Sequence, residues 1–325
     1  MDDILEIRGL TVHYRSDGKT VRAVNDLTLS MRKGEVLGLV GETGAGKTTL
    51  ALSTLGMIQP PQGRIVSGEI RFEGRDVRKL RRDELRKVRG KDIAMIFQDP
   101  MTSLNPLITV GEQIAETVRR HEGCGMEASW DRAREMLEMV GIPPGRSEEF
   151  PHQFSGGMKQ RVVIAIALAC NPKLLLADEP TTALDVTIQA QVLEMMRGLI
   201  KRLDTSVLFI THDLGIVAEN CDRVATMYAG EIVEYGTVEQ VFGSPRHPYT
   251  VGLFGSLPDF EVESERLKPI PGLMPDPTCL PEGCYFAPRC PGATDLCRRA
   301  HPADSDSGGH LAKCHYAHTA KEVQP

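Results

Sequence analysis

The sequence predicts an α/β protein built around a mostly parallel β-sheet. The apolar run 35–40 leads into a glycine-rich turn and then into the helix-compatible segment 47–57. Between residues 155 and 210, helical and strand patterns alternate, which is typical of a parallel sheet with crossover helices. Hydrophobic residues make up 41% of the chain, enough for a sizeable core, and 325 residues suggest about two domains.

The N-terminal elements are predicted from short alternations of apolar and polar residues. Residues 4–40 contain several such runs, separated by turn-forming pairs such as Asp17-Gly18 and Lys33-Gly34, and they predict several short strands. The last of these, Glu35–Val40, is apolar enough to be a buried central strand. Residues 76–90 are densely charged and predict an exposed helix.

The rest of the chain divides into a periodic part and an irregular part. The periodic part predicts two helices within 109–141, a helix from Ser155 through Leu168, a strand Leu174–Ala177, a helix over about 187–203 and a strand Val207–Ile210. After about Gly243, prolines become frequent and periodicity fades. We therefore expect one domain over 1–243 and a loop-rich extension over 244–325.

Charge and hydropathy exclude two classes of protein. The formal net charge is −6, which is not the electrostatic field of a protein that wraps nucleic acid. The longest strongly apolar stretch, Val162–Ala169, is well short of the roughly 20 residues that a bilayer span needs. The first twenty residues carry no apolar run followed by a cleavage site, so we expect a cytoplasmic protein.

Residues 41–48, Gly-Glu-Thr-Gly-Ala-Gly-Lys-Thr, match the phosphate-binding P-loop pattern in full. Glycines in such a loop let successive backbone N–H groups converge on phosphate oxygens, and the following helix points its positive end at the same place. Lys47 would reach the β- and γ-phosphates, and Thr48 would ligate Mg²⁺. The sequence therefore predicts a nucleoside triphosphate site that requires Mg²⁺.

A second motif supplies two carboxylates. The apolar strand at 174–177 ends in Asp178 and Glu179. Asp178 would hold the Mg²⁺ shell and Glu179 would polarise the attacking water, because phosphoryl transfer needs positioning and charge stabilisation from the protein. An apolar strand that ends in acids is often no more than a strand end, and it is the P-loop that favours the catalytic interpretation.

Between these motifs, Phe154-Ser155-Gly156-Gly157-Met158-Lys159-Gln160-Arg161 resembles the signature of ATP-binding cassette (ABC) ATPases of transporters. Ser155 follows Lys47 by 108 residues and precedes Asp178 by 23, which is close to the family's spacing. A hydroxyl, two bare backbone amides and a helix N-terminus form a second anion site. The resemblance implies that this site faces the γ-phosphate on a partner cassette, so two cassettes would meet head to tail to hydrolyse ATP.

The resemblance also implies the fold and further nucleotide contacts. The fold would be a P-loop NTPase core with a RecA-like parallel sheet, an antiparallel β subdomain and a helical subdomain at about 100–158. Gln98 would sense Mg²⁺ and the water, and His212 would contact the γ-phosphate; an ordinary surface glutamine and a helix-capping histidine are the alternatives. Asp185 resembles the aspartate at the dimer interface, or caps the next helix. Tyr14 would stack on adenine, or pack in the core.

The full set of predicted nucleotide-binding residues combines the P-loop, the signature and these further positions: Tyr14, Gly41, Thr43, Gly44, Ala45, Gly46, Lys47, Thr48, Thr49, Gln98, Ser155, Gly156, Gly157, Asp178 and Asp185. Glu179, His212 and Gln98 are the predicted catalytic residues, and Thr48, Gln98 and Asp178 are the predicted Mg²⁺ ligands.

The C-terminal extension carries the motifs that indicate a branch of this family. Phe154 and Met158 replace the commoner signature residues, and residues 246–250, Arg-His-Pro-Tyr-Thr, with the segment 283–290 around Cys284, resemble peptide-importer ATPases. Four cysteines of the extension fit the branch in spacing: Cys284, Cys290, Cys297 and Cys314. Four thiolates suit Zn²⁺ or a [4Fe–4S] cluster, or remain metal-free; the resemblance implies the iron–sulfur cluster, with Cys279 an unmatched thiol.

The sequence therefore leads to an ATP-hydrolysing subunit of a membrane importer for di- and oligopeptides. The implied partners are a second cassette subunit, usually a paralogue, two transmembrane permease subunits and an extracytoplasmic solute-binding protein, with the chain peripheral on the cytoplasmic face of the membrane. Nickel and glutathione are alternative cargoes. A soluble ATP-dependent clamp on DNA or ribosomes is the distant alternative, disfavoured by the acidic balance and by the absence of long coiled coils.

Overall fold

A computed structural model describes residues 3–182, 184–255 and 269–317 of the chain. The chain forms two compact units, each described separately below. Among the described residues, the first unit contains 3–4, 32–35 and 79–210, and the second contains 5–31, 36–78, 211–255 and 269–317. Within the described part, no helix is long and apolar enough to cross a membrane.

The strands in chain order are β1 (Asp3–Ser16), β2 (Lys19–Arg32), β3 (Val36–Val40), β4 (Gly63–Phe72), β5 (Arg75–Asp76), β6 (Ile93–Ile96), β7 (Leu174–Asp178), β8 (Ser206–Ile210), β9 (Arg223–Tyr228), β10 (Glu231–Thr237), β11 (Ser305–Ser307) and β12 (His310–Ala312). The α-helices are α1 (Lys47–Thr54), α2 (Arg82–Val88), α3 (Pro100–Ser103), α4 (Val110–Glu122), α5 (Met126–Met139), α6 (Gly156–Leu168), α7 (Val186–Leu203), α8 (Leu214–Asn220), α9 (Val238–Gly243), α10 (Pro248–Phe254) and α11 (Asp295–Arg299).

The first unit combines three parallel strands with a helical region. β7 lies between β6 and β8 and pairs with both in parallel register. Every residue of β7 and β8 is buried, which explains why their sequences are nearly continuous apolar runs. α4 packs on α5, and α6 contacts both helices as well as β6. The parallel pairing and the helices around 110–168 agree with the architecture expected from the sequence.

The second unit contains an antiparallel sheet in the order β2-β1-β4-β5 and a mixed set of strands in the order β11-β12-β10-β9-β3. β3 and β9 are parallel, whereas β9, β10, β12 and β11 pair in antiparallel fashion. The hairpin β11–β12, from the C-terminal extension, therefore continues a sheet begun by residues of the cassette. The domain boundary at residue 243 stays a prediction.

One local prediction is wrong, and another is confirmed only in part. Residues 4–32 form two strands of 14 residues each rather than several short ones. Gly9, which interrupts the alternation, adopts a left-handed φ of 59°, and the register of β1 against β4 shifts just after it, so the interruption is a bulge within one strand. The helix expected over 76–90 is limited to α2, all of whose residues are at least partly exposed, because residues up to Asp76 pair as β5.

The segment 246–250 joins the extension to the sheet. The buried carboxylate of Glu234, on β10, accepts hydrogen bonds from the backbone N–H groups of Arg246 (2.7 Å) and His247 (2.9 Å) and contacts His310 Nε2 at 2.7 Å. The guanidinium of Arg246 donates to backbone carbonyls of Ser305 and His310, on the extension hairpin. Complete burial lowers the pKa of His247 to about 4, so its ring is neutral and Nδ1 accepts from the N–H of Tyr249.

Candidate functional site

The P-loop is a turn between β3 and α1 whose backbone conformation requires glycine. Gly41, Gly44 and Gly46 all have positive φ angles, at 152°, 88° and 108°. A Cβ atom on Gly41 would lie 2.1 Å from the carbonyl oxygen of Met227, and one on Gly46 would lie 2.4 Å from that of Ala23. The side chains of Thr43 and Thr48 are exposed, and Ala45 is buried. The loop therefore presents backbone and hydroxyl groups at the N-terminus of α1.

Lys47 is held within this loop. Its ammonium group donates to the carbonyl oxygens of Gly41 (2.7 Å) and Glu42 (3.1 Å), and the residue is only 7% exposed. The N–H of Ala45 also donates to the carbonyl of Glu42, at 3.1 Å. The carbonyl oxygen of Glu42 thus accepts from both the lysine and the backbone of the turn.

The extension contacts the same residue. The Glu42 carboxylate forms a two-pronged ion pair with the guanidinium of Arg289, with distances of 2.7 and 3.0 Å. The Glu42 N–H donates to the hydroxyl of Tyr249 at 2.9 Å. The carboxylate raises the pKa of Arg289, and burial raises the pKa of Tyr249. Sequence reasoning missed these contacts, because the partners lie more than 200 residues from Glu42.

In the first unit, two adjacent parallel strands bring two of the predicted catalytic residues together. Gln98 follows β6 and Glu179 follows β7, and Gln98 Nε2 donates to Glu179 Oε2 at 2.8 Å. Asp178, the last residue of β7, is only 4% exposed. Glu179 has a left-handed φ of 48°, and its N–H donates to the carbonyl of Ile210 at 2.8 Å. A strained backbone thus fixes where this carboxylate lies.

Thr182 is a third member of this group that sequence reasoning missed. Its hydroxyl donates to Glu179 Oε2 at 3.0 Å. The signal in the sequence that could have identified Thr182 is its hydroxyl, placed three residues after the carboxylate of Glu179. We expect Thr182→Val to lower the turnover number for ATP about tenfold with little change in ATP affinity, because one hydrogen bond to a charged group is lost. Steady-state kinetics would measure this, with Thr187→Val, an exposed threonine of α7, as the control.

The signature serine begins a helix. Ser155 is the N-cap of α6, its hydroxyl oxygen accepts from the N–H of Met158 at 3.4 Å, and its side chain is exposed. A Cβ atom on Gly157 would lie 2.5 Å from the side chain of Ile188, so glycine lets α7 approach. Asp185 caps α7 by accepting from the N–H of Ile188 at 3.0 Å. The capping interpretation of Asp185 is confirmed, and its place at a dimer interface stays a prediction.

Two further predicted residues belong to the second unit. His212 is exposed just before α8, and Asp213 caps that helix, so the capping alternative for His212 is wrong. Tyr14 is half-buried on β1, opposite Gly63, where a Cβ atom would lie 2.7 Å from its ring. The ring therefore packs on the backbone of β4 and keeps part of its surface exposed. The stacking role of Tyr14 and the phosphate contact of His212 stay predictions.

Cys284, Cys290, Cys297 and Cys314 all line one cavity of about 240 Å³. Its other lining residues include Phe286, Thr294, His315 and Tyr316. Cys279 does not line it, and all the cysteines are free thiols. Across the described ranges, no group of three or more His, Cys, Asp or Glu side chains could hold a single metal ion. The four cysteines thus share the lining of one cavity, and the metal site expected from the sequence stays a prediction.

Backbone amides and burial act in opposite directions on these thiols. Burial raises the pKa of Cys284 to about 11, and the N–H groups of Phe286 and Ala287 oppose that rise. Burial likewise raises the pKa of Cys290 and Cys314. The N–H of Tyr316 donates to Cys314 Sγ at 3.5 Å. Such N–H donors stabilise a thiolate, which is the form that binds metals.

Comparison with known proteins identifies the class of protein to which this chain belongs. Residues 24–182 match the family model described as ABC transporter. The cassette MJ0796, solved as a dimer bound to ADP and Pi, aligns with a TM-score of 0.64 and 27% identity over 72% of this chain and 98% of that one. CbiO1 from Clostridium perfringens aligns with the same TM-score and 28% identity over 75% and 92%. The chain is an ATP-binding cassette ATPase.

Whole-chain relatives define the branch. Residues 233–297 match the model described as oligopeptide/dipeptide transporter, C-terminal region. The oligopeptide transport ATP-binding protein OppD of Bacillus subtilis is 51% identical over 99% of this chain and 91% of its own length. The dipeptide transport ATP-binding protein DppD of Escherichia coli is 46% identical over 96% of each. The chain belongs to the family of oligopeptide/dipeptide transport ATP-binding proteins.

Proposed function

We propose that this chain hydrolyses ATP to power the import of di- and oligopeptides. It would lie on the cytoplasmic face of the membrane, paired with a second cassette, usually a paralogue in this branch. Two permease subunits would form the path, and an extracytoplasmic solute-binding protein would deliver the peptide. The observation that carries the proposal is the similarity over nearly the whole chain, extension included, to relatives named for oligopeptide and dipeptide transport.

Within the cassette, each motif would perform one part of the reaction. The P-loop amides and Lys47 bind the triphosphate, and Tyr14 stacks on the adenine. Glu179 polarises the attacking water, oriented by its hydrogen bonds from Gln98 and Thr182. His212 contacts the γ-phosphate. Closure of two cassettes on ATP and their reopening after hydrolysis would drive the permease subunits.

The donor set fits Mg²⁺ as the counter-ion of the nucleotide. Thr48 offers an exposed hydroxyl, Asp178 a nearly buried carboxylate and Gln98 an amide oxygen, and Mg²⁺ prefers oxygen ligands. Mg²⁺ neutralises charge on the phosphates when bound.

Ser155 and α6 would bind the γ-phosphate of the nucleotide on the partner cassette. An N-cap with an exposed hydroxyl on a 13-residue helix suits an anion. The exposed carboxylate of Asp185, one helix away, would lie at the same interface.

The extension would hold a [4Fe–4S] cluster through Cys284, Cys290, Cys297 and Cys314. The proposal rests on the spacing of these cysteines, which resembles the branch, and on the fact that all four line one cavity of about 240 Å³. Four thiolates suit either Zn²⁺ or an iron–sulfur cluster, and the resemblance favours the cluster. The cluster would crosslink a loop-rich segment.

The cargo is tested by reconstitution. The chain, the cassette and permease subunits that co-purify with it and the solute-binding protein are incorporated into vesicles with internal MgATP. We expect uptake of labelled di- or oligopeptides and ATP turnover that rises with the loaded binding protein. Uptake of nickel or glutathione without peptide uptake would show that the cargo is not a peptide. Co-purification with nucleic acid rather than with membrane subunits would contradict the transport function as a whole.

A further inference from the structure

Glu42 is the point at which the C-terminal extension contacts the P-loop. Its carbonyl oxygen accepts from Lys47 and from the N–H of Ala45, its N–H donates to Tyr249, and its carboxylate pairs with Arg289. The backbone and the side chain of one loop residue are therefore both fixed from outside the loop. A glycine-rich loop has few other means of restricting its conformation.

Arg289 is built into the extension as a rigid clamp. Its side chain is 4% exposed, whereas that of Glu42 is 31% exposed. Besides the carboxylate, its guanidinium donates to the carbonyls of Pro271 at 2.9 Å and Ile270 at 3.4 Å. A planar guanidinium held on several sides presents its remaining donors in a fixed direction.

Tyr249 is equally constrained. It is fully buried, and its ring packs against Tyr228 with centroids 4.6 Å apart and against Phe286 at 5.5 Å. The hydroxyl at the end of this aromatic cluster accepts the Glu42 N–H. An acceptor on a packed ring fixes the direction of the Glu42 N–H.

The ion pair between Glu42 and Arg289 also affects the electrostatic field at the P-loop. The Glu42 carboxylate belongs to a loop whose amides bind phosphates, and an unpaired negative charge there would repel the nucleotide. Arg289 cancels that charge. The pair therefore lets an acidic residue occupy the loop while the field at the phosphate site stays favourable.

We propose that Arg289 and Tyr249 are positioning residues for ATP binding, acting through Glu42, so that the extension sets the nucleotide affinity of the cassette. The proposal rests on the P-loop being the nucleotide site. It gives the extension a role in the ATPase reaction that is separate from any metal it holds.

The test measures ATP affinity and steady-state kinetics of the full-length chain. Arg289→Gln is expected to raise the dissociation constant and the KM for ATP about tenfold, with a much smaller change in kcat. The variant leaves the negative charge of Glu42 uncompensated near the phosphates, and at an effective dielectric constant of about 20 the repulsion has an effect of this order. Glu42→Gln combined with Arg289→Gln is expected to restore affinity to within about threefold, because the repelling charge is gone. A role of Arg289 that does not act through the charge of Glu42 predicts a double variant as weak as Arg289→Gln.

Three further variants make each outcome decisive. Arg298→Gln removes an exposed arginine that pairs with Asp295 in the same extension and is expected to change nothing. Tyr249→Phe removes only a hydroxyl and is expected to weaken ATP binding about threefold. If thermal unfolding without nucleotide shows that Arg289→Gln is misfolded, Tyr249→Phe becomes the variant that tests the proposal. Lys47→Ala must lose ATP binding; if it does not, the proposed nucleotide site is wrong. If it does, while Arg289→Gln stays within twofold of the parent or the double variant shows no recovery, the positioning role is wrong.

Discussion

Replacing Glu179 with glutamine is expected to lower ATP turnover by about 100-fold or more while ATP affinity stays within about threefold. The substitution keeps the size of the side chain and removes its charge, so the residue can no longer polarise a water. It leaves the P-loop and its lysine untouched. Single-turnover phosphate release and equilibrium binding of ATP measure the two quantities separately.

The geometry around Glu179 explains why so large an effect is expected from one atom. The carboxylate oxygen Oε2 accepts from both Gln98 and Thr182, so the side chain is oriented before any nucleotide step. The left-handed φ of 48° at a non-glycine residue is strained, and the bond to Ile210 holds it. A pre-oriented base loses little entropy in the reaction, and a glutamine in the same place retains the orientation without the basicity.

A matched control lies on the next helix. Glu194, on α7, has an exposed side chain that pairs with Arg197, and Glu194→Gln is expected to leave turnover unchanged. Turnover by Glu179→Gln within tenfold of the parent would assign the general-base role to another residue. Loss of ATP binding in the same variant would show instead that the carboxylate supports the nucleotide site itself.

The parts of the fold that sequence predicts well are those where burial is continuous. β3, β7 and β8 were expected within one or two residues of their observed ends, because each is a largely apolar and almost wholly buried run. β1 was not, because a glycine bulge interrupts its alternation without ending the strand. Periodicity describes a strand's exposure pattern and cannot distinguish a bulge from a turn.

In the candidate site too, local sequence patterns are predictable and long-range contacts are not. The P-loop, the carboxylates and the signature serine are local patterns whose chemistry dictates their spacing. The Glu42–Arg289 pair joins residues 247 positions apart, and neither residue belongs to a periodic pattern that would predict the contact. Long-range ion pairs depend on the tertiary path of the chain. The extension thus looked like an appendage in sequence, whereas β12 pairs with β10 and Arg289 contacts the P-loop.

Alanine at Cys290 is expected to abolish stoichiometric iron binding by the extension. The parent chain, purified without oxygen, should contain about four iron atoms and as many sulfides per chain and show the visible absorbance of an iron–sulfur cluster. With one of four ligands gone, the cluster should be lost or substoichiometric. Metal and sulfide analysis of the two proteins measures this directly, and the midpoint of thermal unfolding is expected to fall by about 5 °C because a crosslink is removed.

Cys279→Ala provides the matched control, since Cys279 is an exposed thiol of the same extension that does not line the cavity. It should retain the full iron content and the parent's stability. If the parent chain contains one zinc ion and no sulfide, the site is a mononuclear zinc site and not an iron–sulfur cluster. If the parent chain contains neither iron nor zinc, the extension holds no metal site.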